Sequence, residues 1–154
     1  MQLLRGKQGV TRVGLVLIII LSVLCCSKKS PTSPNHEKSE LATITGMLIL
    51  PAEANGKTFA VVVDSDTNNT NGFVRVIMGT CGTGDRVPYE ITDVPAGIYF
   101  LYAVVWVVSE PLKPPGTGDF VGFYGTENAI PPAPNVTIPT SGQVTLDITL
   151  MVLP

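Results

Sequence analysis

From Leu41 onward the apolar residues come in runs too short for helices, and each run is fenced by turn formers. The runs are 41–50 (LATITGMLIL), 57–64 (KTFAVVVD), 72–78 (GFVRVIM), 88–92 (PYEIT), 98–108 (IYFLYAVVWVV), 119–125 (DFVGFYG), 135–139 (NVTIP) and 143–153 (QVTLDITLMVL). Between them stand clusters such as SDTNNTNG and GTCGTGD. Glycine and proline supply backbone angles that end regular structure, while Asp and Asn bond their own backbone in turns. No stretch past residue 40 keeps a helical period. Seven or eight strands at this spacing predict an all-β fold, a single antiparallel β-sandwich over residues 41–154.

The last run shows how such a strand would sit. Val144, Leu146, Ile148, Leu150 and Val152 share one parity, and Thr145, Asp147, Thr149 and Met151 the other. That alternation predicts one buried face. Run 98–108 is apolar at both parities, so it is either central and covered or shows an aromatic stripe to solvent. The stripe would be Phe100, Tyr102 and Trp106, joined by Tyr124. Exposed aromatic rings would give a platform for a sugar ring or a protein partner. The passage 109–134 is long enough to fold over them instead.

Residues 89–105 (YEITDVPAGIYFLYAVV) resemble the strand–turn–strand signature of carboxypeptidase-regulatory-like domains. The matching residues are Val94, Pro95, Ala96, Gly97, Tyr99, Leu101 and Ala103, and 44–49 (ITGMLI) is similar to that family's first strand. The resemblance implies a transthyretin-like (prealbumin-like) sandwich and a non-catalytic module. It also implies that Gly97 takes a turn conformation other residues resist, and that Tyr99, Leu101 and Ala103 point inward.

The first 40 residues are of another kind. A short basic start precedes the run Val13–Leu24, 12 residues long, uncharged and apolar but for Ser22. A membrane-crossing helix needs about 20. The run therefore reads as the core of a signal peptide. It ends on Cys25 and Cys26. This arrangement resembles the lipobox of bacterial lipoproteins, whose final Cys is acylated and becomes the first mature residue. Cys26 fits that role better, because small Cys25 then stands before the cut; with Cys25 as the alternative, bulky Leu24 would stand there. The resemblance implies a signal peptide over 1–25 and a lipidated Cys26 opening a tether over 26–40. It places the protein in the bacterial cell envelope, held to a membrane by its lipid anchor and facing the periplasm or the cell surface. Residues 27–40 (SKKSPTSPNHEKSE) hold almost nothing for a core and read as a solvated leash.

Charge narrows the partners. From Leu41 on there are four bases (Lys57, Arg75, Arg86, Lys113) against ten acids, a net charge of −6. Such a domain repels nucleic-acid phosphates, so no nucleic acid is expected, and an envelope protein or a glycan is the candidate partner. Catalysis is not expected. The one histidine, His36, lies in the leash, which removes triads and histidine metal sites. Neither a G-x-S-x-G nor a phosphate-binding glycine loop occurs. Cys81 is left without an intrachain partner and reads as a small half-buried residue.

One motif carries candidate ion chemistry. Asp64, Asp66 and Asn68 have the D-x-D-x-N spacing that opens a calcium loop. Asn69 and Arg75 then stand where an EF-hand needs Gly and Glu, so the site would be a looser one, open to recruiting Asp119. The same residues also serve ordinary turn chemistry. Apart from this candidate calcium, no cofactor is expected.

Overall fold

In a computed structural model of the chain, residues 41–66, 71–127, 131 and 133–154 are described. The segments expected to be a signal peptide and a leash, with Cys25 and Cys26, and also Asn68, lie outside them. The described residues are all-β and form two sheets. The strands are β1 (Ala42–Ile49), β2 (Thr58–Asp64), β3 (Arg75–Thr80), β4 (Arg86–Val94) and β5 (Gly97–Trp106), then β6 (Phe120–Phe123), β7 (Val136–Ile138), β8 (Gly142–Thr145), β9 (Ile148–Thr149) and β10 (Met151–Val152). A 3-10 turn, Ala52–Ala54, precedes β2.

Each of the apolar runs carries a strand, and the last is broken into three. In the first sheet β1 lies between β4 and the pair β8 and β9. The second sheet runs β10–β6–β5–β2–β3, and β7 joins β5 beside β6. The second sheet is antiparallel, as expected, but β8 and β9 run parallel to β1. A parallel neighbour needs a crossover rather than a hairpin. Here the chain leaves the first sheet after β4, builds β5, β6 and β7 in the second, and returns.

The core lies between the sheets. Ile44, Leu48, Ile91, Val61, Val63, Leu101, Val105 and Ile148 are all buried there. Leu101, Ala103 and Val105 point inward from β5, with half-buried Tyr99 against them. Alternation in the last run holds through Ile148 and Leu150, then stops, because Val152 is exposed. The cause is a change of sheet: Leu150 N–H still donates to Ile49 O of the first sheet, while Met151 pairs with Val121 of the second.

The VPAG turn also differs from its expected form. It does not close a hairpin, since β4 belongs to the first sheet and β5 to the second. The residue with left-handed backbone is Asp93 (φ 59°), not Gly97. Gly97 is small for another reason. The Tyr99 ring folds back over it, and a Cβ there would lie 2.5 Å from the phenol oxygen. That phenol donates to Ala96 O at 3.3 Å.

Candidate functional site

The second sheet has two apolar faces. Phe59, Val61 and Val63 of β2 point into the sandwich, so Ala60, Val62 and Asp64 point outward. The even residues of β5 share that outer side, where Ala60, Val62, Val104, Trp106 and Val121 form a second, smaller apolar cluster. Phe100 and Trp106 are buried, and Tyr102 is half-buried with its ring tilted 32° to Phe123 at 5.1 Å. Tyr124 packs on the main core rather than with these rings.

β5 is thus central in its sheet, and Phe100 and Trp106 are covered rather than set in a solvent-facing stripe, while Ile98 and Val108 at the ends of the run are exposed. The passage after β5 does part of the covering: Lys113 O accepts the Trp106 Nε1–H at 2.9 Å. As placed, neither Phe100 nor Trp106 offers its ring face to a sugar.

Asp119 organises that passage. It is fully buried, yet every carboxylate oxygen is used. Oδ1 accepts the backbone N–H groups of Val107 and Val108 at 2.8 Å and of Ser109 at 3.1 Å, and Oδ2 accepts that of Gly116 at 2.9 Å. Burial alone would push this carboxyl up, but the Ser109 hydroxyl and the converging amides outweigh it and hold it well below the usual carboxylate range. The sequence suggested Asp119 as a recruit for a calcium site with Asp64. The register excludes that. Asp64 stands opposite Phe100 and Phe120 opposite Val105, which puts Asp119 level with Trp106, so the two carboxylates lie at opposite ends of β5, roughly 20 Å apart at strand rise.

Asp64 ends β2 and is 1% exposed. Its Oδ1 accepts the Asp66 N–H at 3.2 Å, closing a turn after the strand. Its Oδ2 is buried and has no hydrogen-bond partner. Burial raises the Asp64 carboxyl above its ordinary value; the Asp66 and Ser65 amides pull it back, and the Asp66 charge pushes it up again. Asn71 Nδ2 donates to Asp66 Oδ2 at 3.0 Å. The Tyr102 phenol is close enough to feel both acids. It is pushed up to about 12, first by burial and then by Asp64 and Asp66. Among the described residues no three His, Cys, Asp or Glu side chains gather into a metal cluster.

Two other features complete the surface. A shallow cleft of about 440 Å³ lies over β1, lined by Thr45, Met47, Glu90 and Asp147 among others. Asp147 is already engaged there, accepting the Met47 N–H at 2.9 Å. On the edge strand β3, Val76 and Met78 are nearly half exposed, with Phe73 just before them. Sequence reasoning missed this patch, since Val76 and Met78 belong to an apolar run that reads as core. Nothing short of the strand order tells that β3 is last in its sheet.

Cys81 is free and buried, and burial pushes its thiol up. The chain matches no family model, no curated protein and no solved structure.

Proposed function

We propose that this chain is a membrane-anchored envelope lipoprotein whose β-sandwich, transthyretin-like in type, is a non-catalytic module that binds or scaffolds another envelope component. The observation that carries the reading is the N-terminal sequence: a basic start, a 12-residue apolar run, a stop on Cys25 and Cys26, and a polar leash. One acyl chain alone holds a protein to a membrane only marginally, so stable anchoring calls for more than one chain on Cys26. The edge of β3 supports the binding half of the reading. It pairs with β2 on one side alone and, past the single charge of Arg75 at its start, presents Val76 and Met78 where natural edge strands place charges that repel a neighbour. An added strand from a partner would find both unpaired backbone groups and apolar side chains there.

Radiolabelled palmitate fed to cells expressing the chain tests the anchor. Incorporation is expected in the wild type and in Cys25→Ser, and is lost in Cys26→Ser. Persistent labelling of Cys26→Ser would move the anchor to Cys25, and a wild type that takes up no label would remove it. Crosslinking in intact cells tests the module: adducts are expected to disappear in Val76→Lys/Met78→Lys while labelling persists.

A further inference from the structure

We infer that Asp64 and Asp66 form a calcium site at the end of β2, on the outer side of the second sheet. The starting point is the orphaned oxygen. Asp64 is almost wholly buried, and its Oδ2 meets no donor. A buried acceptor left without a partner is costly, and native proteins nearly always satisfy one with protein, water or an ion. Arg75 stands opposite Val63 on the neighbouring strand β3, and it does not fill the gap. Its Nη1 donates instead to the neighbouring Val74 O at 2.8 Å.

The surroundings select the ligand. Asp64 and Asp66 carry two negative charges within one turn, and the Asp66 N–H bond to Asp64 Oδ1 holds the two residues together. Asn71 sits on Asp66 through its amide, and a half-turn of that amide would present its oxygen in place of its nitrogen. The donors are all oxygens, with neither sulfur nor imidazole. That chemistry suits a hard cation rather than zinc or copper. Calcium fits better than magnesium, which demands a near-ideal octahedron. Two carboxylates, an amide oxygen and bound water in a turn give the irregular shell that calcium accepts. With only two charged ligands the affinity belongs to the weak, extracellular class, at about 0.1 to 1 mM. The Tyr102 phenol lies within the field of both acids and would report the ion's arrival.

The inference is independent of acylation, so its failure leaves the anchor untouched. The test uses the full-length chain in detergent, and the probe is calcium alone. At about ten times that dissociation constant, the melting temperature of the wild type is expected to rise by about 4 °C. The rise should vanish in Asp64→Asn and in Asp66→Asn, and survive in Glu53→Gln, an exposed acid away from the site. Terbium gives a second reading. Its luminescence on excitation of tyrosine should appear in the wild type, fall sharply in Tyr102→Phe, and be displaced by calcium. No thermal shift in the wild type, or an equal shift in Asp64→Asn/Asp66→Asn, would overturn the site. A gain in stability of Asp64→Asn with no calcium response in the wild type would also overturn it, marking Asp64 as a buried acid and nothing more.

Discussion

Gly46 lies against the carbonyl of Leu146 so closely that a Cβ on it would sit 1.9 Å from that oxygen. The contact is between backbones, and it occurs where β8 gives way to β9. Two side chains hold the break in place. The Tyr89 phenol donates to the Leu146 carbonyl, and Asp147 Oδ1 takes the Met47 N–H that regular pairing would have used.

Gly46→Ala should therefore destabilise the fold by about 3 kcal/mol or more, read as the urea midpoint, because neither backbone can retreat. Gly79→Ala is the instructive contrast. Its Cβ would meet the Phe59 ring at 2.7 Å, and a ring can tilt, so the loss should be smaller. Gly82→Ala meets nothing and should stay within about 0.5 kcal/mol of wild type. Tyr89→Phe keeps the packing, loses one hydrogen bond, and should cost about 1 kcal/mol.

Asp119→Asn should loosen the passage after β5. An amide cannot accept all the N–H groups the carboxylate holds, and the cost is about 2 kcal/mol at neutral pH. The folded-state carboxyl is depressed, so its stabilisation is present above the ordinary carboxylate pKa of about 4 and fades as pH falls below it. Wild type and variant should converge in acid. The one tryptophan, Trp106, is a built-in reporter, and its emission should shift to the red in Asp119→Asn.

Asp64 runs the other way. Its folded-state carboxyl is raised, so it favours the fold below the ordinary value of 3.8 and weakens it as pH rises through the folded pKa. In chelator, Asp64→Asn should melt higher than wild type at pH 7, and the gap should close as pH falls toward 4.

Cys81 should resist a thiol reagent such as DTNB in the native protein and react at once in denaturant. Its side chain is buried behind the Gly56 N–H to Cys81 O bond and the Cys81 N–H to Lys57 O bond. Reaction of the native protein within minutes would show that this end of the β2–β3 pair opens freely.

Much of the fold could be read from the chain because strand periodicity is local. The parity of Val61, Leu101 and Ile148 is written in their neighbours, and all three face the core. What escaped is long-range. The parallel partnership of β1 with β8, the edge position of β3 and the sheet change at Leu150 depend on residues far apart in sequence. The site divided likewise. Asp64 and Asp66 stood out by their spacing, whereas the missing partner of Asp64 Oδ2 exists only once β5 lies alongside. Asp119 looked like a spare ligand because its clients are backbone amides, which no sequence displays.

On one of its two sides, β1 pairs with strands that are among the last to be made. Ala42 is paired with Gly142 and Ile49 with Thr149, so one edge of β1 stays open until about a hundred further residues have left the ribosome. Up to that moment neither sheet is joined to the other through the segment 148–152. In a chain made in this order the first sheet stays incomplete until its final strands are in place, whereas β2, β3, β5 and β6 have each other to pair with sooner.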